Sequence, residues 1–509
     1  MAFNTLPTTL ICVPVTEPLF DNFLRAVEDA TLVADAVELR GDYLTEDDPL
    51  RVIKFLSVPK NKIQKPLILT YRPREQGGQR DLKFNDRIGF WRRFGAWNAI
   101  TYADLELDLV EHLVKTGLPI PWERVICSWH NFSETPDDLF ELYDRMARTP
   151  AAVIKIATQA NRIGDCLRIF ELIEHAKGKK PVIALAMGLS GLTTRVLALS
   201  RGAMLTFGSL KRGSESASGQ PTVTELRDLY RVHQLSRDSE IFGIIGKPVG
   251  HSRSPLMHNA ALKALNRDGV YLPFEVDDVD SFVRDFVHPK TKKLDWNLRG
   301  LSVTIPHKLA VIPHLDYVDE TAKTIGAVNT IVVKGEGLHG YNTDVIGAMK
   351  PLDEMVEVKG ARVAVIGAGG SARAICHGLS QRDADVTIYA RDLKKAQPLA
   401  DEFKARTALL DSFEGETDVV INCTPIGMRG HSEGQSPVKA ESLESVSLVY
   451  DLIYTPEETA LLRDAKHVGC RTLGGLAMLV GQAAEQFRLW TGLEAPMDVM
   501  WRVVSSKSE

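Results

Sequence analysis

Eight short apolar runs rich in β-branched residues dominate the first part of the chain. They are Leu10–Val15, Ala36–Leu39, Leu67–Tyr71, Ala103–Leu107, Val125–Ser128, Ala152–Ile156, Val182–Ala186 and Met204–Phe207. Between them lie stretches with helical spacing, among them Phe20–Leu32, Asp86–Asn98, Pro136–Met146 and Arg162–Ala176. Short strands alternating with amphipathic helices predict parallel β-α units. Eight such units in roughly 200 residues is the arithmetic of a (β/α)8 TIM barrel. A doubly wound open sheet is the competing α/β arrangement, and it usually carries fewer strands.

The barrel leaves more than half of the 509 residues unassigned. A chain of this length carries a prior of about three domains. Hydrophobic residues at 44% and charged residues at 25% exclude a disordered chain, a collagen-like rod and a coiled coil. The 61 basic and 66 acidic residues leave a net charge of −5, so no global basic field awaits nucleic acid. The clusters Lys177–Lys180 and Lys290–Lys293 read as solvated loops. The six cysteines, Cys12, Cys127, Cys166, Cys376, Cys423 and Cys470, form no C-x-x-C pair. They read as reduced core residues in a reducing compartment, cytoplasmic, or plastid where an address was removed before this numbering. No apolar run reaches the length of a membrane span. Met1–Thr9 lack the basic residues and apolar stretch of a signal or transit peptide.

Polar residues embedded at the ends of barrel strands are the candidates for chemistry, because active sites of this fold lie at the C-terminal face. Glu38 and Arg40, Thr70 and Arg72, Asp104 and Glu106, and Ser128 and His130 each share one face of a strand at period two. Lys155 sits inside Val153-Ile154-Lys155-Ile156-Ala157. A buried ammonium is costly. Such a lysine either gives up its proton and offers a free amine for Schiff-base chemistry, or pairs with a barrel carboxylate such as Glu106. His130 alone reads equally well as a loop cap.

Glu38-Leu39-Arg40-Gly41-Asp42, Thr70-Tyr71-Arg72 with Gly77-Gly78, His130-Asn131-Phe132 and Val153-Ile154-Lys155 together resemble type I 3-dehydroquinate dehydratase. Met187-Gly188, Arg195 and Ser216-Ala217-Ser218-Gly219-Gln220 continue the pattern, which covers about residues 8–235. The resemblance implies that Lys155 forms an imine with the ketone of 3-dehydroquinate and that His130 is base and then acid. It also implies that Glu38, Arg40, Arg72, Arg195, Ser216 and Gln220 hold the substrate. Arg195 is the best carboxylate clamp, since a guanidinium binds a carboxylate bidentately. Gln76 stands where that family usually has Glu, with Glu75 adjacent.

The second half changes character. Helical spacing through Val223–Leu235 gives way to polar Ser236–Glu240, and a new strand follows at Ile241–Ile245. His251-Ser252-Arg253-Ser254-Pro255 offers two hydroxyls for one anionic group, with an N-cap at Ser254 as the plainer reading. A helix is predicted over Pro255–Leu265. Gly300–Lys308 reads as a short strand ending in Pro306, with Lys308 at a loop or helix start; Gly326–Thr330 and Gly340–Asp344 are ordinary turns when taken singly, and Lys308 with Asp344 alone is an ordinary surface ion pair.

The strongest local motif is Arg362–Ile366 followed by Gly367-Ala368-Gly369-Gly370-Ser371-Ala372. It runs strand, glycine-rich turn, helix (Ala372–Leu379) and second strand (Val386–Tyr389), the setting a dinucleotide fingerprint requires. The glycines let the backbone approach a pyrophosphate at a helix N-terminus. Where an NAD enzyme has an acid at the end of the second strand, this chain has Arg391, with Lys394 and Lys395 beyond. A guanidinium there suits a 2′-phosphate and predicts NADP; Asp392 directly after it speaks the other way.

In order, the motifs of residues 240–505 resemble shikimate dehydrogenase: His251-Ser252-x-Ser254-Pro255, Thr304-Ile305-Pro306-His307-Lys308, Asn329-Thr330, Asn342-Thr343-Asp344, Asn422-Cys423-Thr424-Pro425-Ile426-Gly427-Met428 and Gly475-x-x-Met478-x-x-x-Gln482. Ser302 replaces the Asn common in that family. The resemblance implies that Ser252 and Ser254 bind a carboxylate. Thr304, Asn329 and Gln482 would surround ring hydroxyls, and Lys308 with Asp344 would move the hydroxyl proton during hydride transfer. Gly367, Gly369, Gly370, Ser371, Ala372, Arg391, Lys395 and Gly475 would hold NADP(H). The implied whole is a TIM barrel (1–236) fused to a substrate domain (240–345), a Rossmann NADP-binding domain (346–472) and returning helices (473–509). Its expected partners are the small molecules 3-dehydroquinate, 3-dehydroshikimate and shikimate, with no metal, nucleic acid or membrane. Three alternatives remain open: a quinate-using, NAD-linked second half; a metabolite sensor built from related domains; and a fusion in which only one half works.

Overall fold

The computed structural model describes residues 10–44, 51, 54, 57–58, 63–430 and 432–505. The expectation for Met1–Thr9 lies outside them. Eight parallel strands form the first sheet: β1 (Leu10–Val15), β2 (Ala36–Arg40), β3 (Leu67–Thr70), β4 (Tyr102–Glu106), β5 (Val125–His130), β6 (Val153–Gln159), β7 (Val182–Met187) and β8 (Leu205–Phe207). Their order is β7-β6-β5-β4-β3-β2-β1-β8. The ends meet where the Met204 N–H donates to the Val182 carbonyl at 2.9 Å. The eight apolar runs are therefore the eight barrel strands.

Period-two alternation sorts each strand. Val13, Leu39, Leu69, Leu105 and Ile154 face the surrounding helices. Ala36, Ile68, Tyr102, Ile126, Val153, Ile183 and Leu205 fill the barrel interior. One step further along the same inward parity come Glu38, Thr70, Asp104, Ser128 and Lys155, and then Arg40, Arg72, Glu106 and His130. An apolar plug thus closes the N-terminal end of the barrel, and a charged layer lies above it.

Some local expectations need correction. The helix read over Val223–Leu235 is a single wide turn, Glu225–Leu229, which stops where Arg231 adopts a left-handed φ of 52°. The helix read to Asn98 ends at Arg93, and Trp97–Ala99 is a separate tight turn. Leu107 begins a helix rather than ending β4. Lys180 is not a solvated loop residue. Its ammonium donates to the carbonyls of Thr149 at 2.5 Å and Ala151 at 2.6 Å. Five cysteines are buried as expected, and Cys423 is half-buried.

The second sheet contains β9 (Glu240–Gly246), β10 (Gly269–Glu275), β11 (Asn297–Val303), β12 (Tyr317–Val318), β13 (Thr330–Lys334) and β14 (Gly337–Tyr341). Its order is β10-β9-β11-β13-β14-β12, with β13 antiparallel to both neighbours. The third sheet is wholly parallel: β15 (Arg362–Ile366), β16 (Asp385–Ala390), β17 (Arg406–Leu409), β18 (Val419–Asn422), β19 (Leu448–Asp451) and β20 (Arg471–Leu473). Its order β17-β16-β15-β18-β19-β20 is the 3-2-1-4-5-6 winding of a dinucleotide-binding sheet, whose crevice opens at the strand carboxyl ends. Helix Gly475–Thr491 leaves this sheet and buries Leu476, Val480, Phe487 and Trp490 against Phe242 and Tyr271 of the second. No helix among the described residues is long and apolar enough to cross a membrane.

Candidate functional site

The charged layer of the barrel is built from its strand ends. Lys155 Nζ donates to Asp104 Oδ2 at 2.8 Å, stands 3.5 Å from Glu38 Oε1 and lies 4.5 Å from the centre of the Phe207 ring. The carboxylate partner of Lys155 is therefore Asp104, flanked by Glu38, rather than Glu106. Burial alone would raise the pKa of Asp104, but Arg72 and Lys155 outweigh it and hold the group below its ordinary range. Glu38 is lowered in the same way against its burial, chiefly by Lys155 and Arg40. Glu106 goes the other way. Burial pushes it up to about 7 although Arg87 donates to it at 3.0 Å.

His130 is buried, and the Arg72 guanidinium lies against its ring. Burial first, then the cations Arg72 and Lys155, push its pKa well below 6.5. The ring is held neutral, which is the form that accepts a proton. Arg72 also donates to Asp104 Oδ1 at 2.5 Å. Arg40 pairs bidentately with Asp42 at 2.8 and 3.0 Å and reaches the Gly77 carbonyl. Both guanidiniums line the pocket while already engaged by the protein. Arg195 is 1% exposed, and its Nε and Nη2 have no partner among the described residues, where Arg72 keeps only Nε. Desolvation lowers the Arg195 pKa to about 10. Ser216 donates to Gln220 Oε1 at 3.1 Å, and the buried Gln220 Nε2 has no partner among the described residues. Buried donors left over after internal pairing mark where a ligand's acceptors fit. Gln76 accepts the His130 backbone N–H at 3.2 Å, so the family's Glu position is occupied by a side chain that still touches the site.

The second cluster lies in a cleft of about 360 Å³ between the second and third sheets. Ser252, Ser254, Thr304, Lys308, Asn329, Asp344, Ser371, Gly475 and Gln482 all line it. Lys308 Nζ donates to Asp344 Oδ2 at 2.6 Å, and Asn329 Nδ2 donates to Asp344 Oδ1 at 2.8 Å. The pair is not a surface ion pair, since its side chains are 29% and 14% exposed. Helix Ser254–Ala264 starts at Ser254, and it is the Ser252 hydroxyl that accepts the Ser254 N–H at 3.2 Å. The N-cap reading of Ser254 is corrected accordingly.

Sequence reasoning missed two participants. Asp104 reads in the sequence only as a carboxylate sharing a face with Glu106, and its pairing with Lys155 is set by the closed barrel. Gln486 was not singled out. Four residues after Gln482 on one helix, it accepts from Ser302 Oγ at 2.7 Å and donates to the Asn329 carbonyl at 3.2 Å. It braces Asn329 from below while Ser302 stands in the usual place of Asn.

The turn after β15 suits a dinucleotide phosphate. Gly367 has φ 105°, and an added Cβ would meet Thr424 Cγ2 at 2.8 Å, so the glycine is required. Nothing crowds Gly369 or Gly370, and helix Gly370–Ser380 begins with free amides aimed at that space. Asp392 accepts the Lys394 N–H at 3.0 Å as a helix cap. That contact gives the acid after Arg391 a place as a helix cap.

Comparison with known proteins gives matching families across the chain. The type I 3-dehydroquinase model matches residues 11–237, and the shikimate dehydrogenase substrate binding domain matches 244–331. The shikimate/quinate 5-dehydrogenase model matches 350–428, and the shikimate 5′-dehydrogenase C-terminal domain matches 475–504. A protein of Arabidopsis thaliana named bifunctional 3-dehydroquinate dehydratase/shikimate dehydrogenase, chloroplastic, is 37% identical over 98% of this chain and 84% of its own length. A shikimate dehydrogenase (NADP(+)) of Caldanaerobacter subterraneus is 41% identical over 51% of this chain and 94% of its own. A solved shikimate dehydrogenase in complex with NADP+ is 39% identical, with a TM-score of 0.49, over 52% of this chain and 94% of that one.

Proposed function

The chain belongs to the bifunctional 3-dehydroquinate dehydratase/shikimate dehydrogenase family, and from that premise we propose how its residues divide two consecutive reactions. The barrel dehydrates 3-dehydroquinate to 3-dehydroshikimate, and the second half reduces that product to shikimate with NADPH. The observation that carries the reading is the convergence of Lys155, His130 and the partnerless donors of Arg195 in one barrel mouth, matched by the Lys308–Asp344 pair in the second cleft.

In the barrel, His130 takes a proton from the Lys155 ammonium, the free amine adds to the ketone, and the proton returns to the carbinolamine hydroxyl, which leaves as water to give the protonated imine. The positive nitrogen draws electrons from the adjacent carbon, so neutral His130 takes a proton there. Elimination follows, with His130 returning the proton to the departing hydroxyl, and hydrolysis frees Lys155. Asp104 and Glu38 hold Lys155 in place and offset the cost of its charge. Arg195 and Gln220 receive the substrate's acceptor oxygens. Because His130 is kept neutral well below pH 6.5, the acid limb of dehydratase kcat/KM should fall below that pH rather than at it. A limb centred at 6.5 or higher would assign the base to another group.

In the cleft, Ser252 and Ser254 anchor the carboxylate, and Asn329, Thr304 and Gln482 position the ring. NADPH supplies the hydride when bound. The residues that fit it are the Gly367–Ala372 turn, Gly475 and the cations Arg391 and Lys395. Arg391→Ala should weaken NADPH binding by about tenfold, the worth of one charge-assisted phosphate contact, with NADH binding changed little. Equal losses for both nucleotides would remove the 2′-phosphate reading.

The reading as a whole is tested in one vessel. The protein is given 3-dehydroquinate and NADPH, and 3-dehydroshikimate absorbance is followed together with NADPH loss. Absence of turnover with retained ligand binding would instead favour a sensor. Parallel assays with quinate and NAD distinguish a quinate-using second half. The name of the Arabidopsis relative supports a plastid location for this chain as well.

A further inference from the structure

The carboxyl ends of β18 and β19 lie side by side, with Asn422 in register with Asp451. Both side chains are fully buried. Asp451 Oδ1 accepts Asn422 Nδ2 at 3.0 Å and the Ile453 N–H at 3.1 Å, and Oδ2 accepts the Thr459 hydroxyl at 2.6 Å. The influences on this carboxyl are burial and these three donors, with no cation among them. Asn422 passes the restraint onward: its Oδ1 accepts the Thr424 N–H at 3.0 Å and the Thr424 hydroxyl at 2.7 Å.

These contacts reach two walls of the cleft. Thr424 is the residue that presses on Gly367, the first glycine of the phosphate turn. Leu452 and Tyr454, on either side of Ile453, line the cleft, and the Leu452 carbonyl excludes any side chain at Gly475. A buried carboxyl without a cation is expensive, and neither strand needs one to pair. A hydrophobic residue would satisfy packing at this position. It would not tie the two loops together.

We infer that Asp451 is a positioning residue for the dehydrogenase half: by accepting from Asn422 and Ile453 together, it fixes the Asn422–Thr424 loop against the Leu452–Tyr454 segment and so sets the width of the nucleotide cleft. The inference rests on the dehydrogenase reading and adds to it a residue that touches neither substrate nor cofactor.

Exchange of the pair tests it in the full-length protein. Asn422→Asp sets two carboxyls against each other and should weaken NADPH binding, measured by nucleotide fluorescence without substrate, by about tenfold, with kcat for 3-dehydroshikimate falling in parallel. Adding Asp451→Asn turns an amide donor toward the new carboxyl but takes the shared acceptor from the Ile453 N–H, so it should recover part of the lost binding and stop short of the parent. Asp451→Asn alone keeps an acceptor for Asn422 and Ile453, and Thr459 can receive its amide, so it should fold and stay within about threefold. Dehydratase turnover should be unchanged throughout. If Asn422→Asp lowers only the thermal midpoint, or if the exchange recovers none of the lost binding, the positioning role is wrong. If the parent itself neither binds nor oxidises NADPH, the failure lies with the dehydrogenase reading instead.

Discussion

Lys155→Ala is expected to lower dehydration of 3-dehydroquinate by at least about ten-thousand-fold, because covalent catalysis is lost with its nucleophile and the remaining groups cannot replace it. The same variant should reduce added 3-dehydroshikimate with NADPH at an unchanged rate. The reasons are geometric. Among the described residues, Lys155 is the only lysine lining the barrel pocket. Two carboxylates stand within 3.5 Å of Nζ, so the amine is held in place before substrate arrives. Lys155→Arg keeps the charge beside Asp104 and Glu38, yet a guanidinium forms no imine, and it should be as inactive as the alanine variant. Comparing the two separates loss of the nucleophile from loss of a buried ion pair. Removing the lysine takes a cation from two buried carboxyls, leaving Arg72 on Asp104 and the Thr70 hydroxyl on Glu38, and is expected to cost stability, whereas the arginine variant retains a cation. Borohydride added with 3-dehydroquinate should leave a covalent mass increment on the parent and none on either variant. Full dehydratase activity in Lys155→Arg would end the Schiff-base account.

The parts that were legible in the sequence are those set by periodicity. Barrel strands buried on both faces appear as apolar runs, and the polar residues interrupting them, Glu38, Asp104 and Lys155, stand out because a charge there has no packing explanation. The fingerprint after β15 was legible because a glycine at φ 105° against Thr424 tolerates no substitute. The features that escaped depend on pairing across the fold. Lys155 bonds Asp104 rather than Glu106, whose Oε2 takes Arg87 from 19 residues before it. Arg72 and Arg195 look equivalent as letters, but Arg72 spends both terminal nitrogens on Asp104 and His130 and keeps only Nε, while Arg195 keeps Nε and Nη2 without a partner among the described residues. The short turn in place of a helix after Val223 depends on Arg231, whose guanidinium reaches across to the Gly269 carbonyl at 2.7 Å. That tertiary contact accompanies a backbone conformation local propensity does not favour.

The second site makes the other large prediction. Lys308→Ala should lower kcat for 3-dehydroshikimate reduction by about a thousandfold, within the range for loss of a positioned acid, while KM changes far less. Hydride arriving at the ketone leaves negative charge on oxygen. Lys308 is the lysine lining the cleft, and Asp344 at 2.6 Å fixes its direction. Asn329 holds the far oxygen of Asp344 and is itself braced by Gln486, so the dyad enters the reaction already oriented. Asp344→Asn should therefore cost less than Lys308→Ala: it leaves the lysine present but less well aimed. The chemical step also becomes slower than product release in Lys308→Ala, so transfer from 4-deuterated NADPH should show a larger isotope effect on kcat than in the parent. A mere structural ion pair predicts the reverse: a lower thermal midpoint, an unchanged isotope effect and kcat within a few-fold. Dehydratase turnover in the same preparation provides the internal standard, since the barrel pocket shares no lining residue with this cleft.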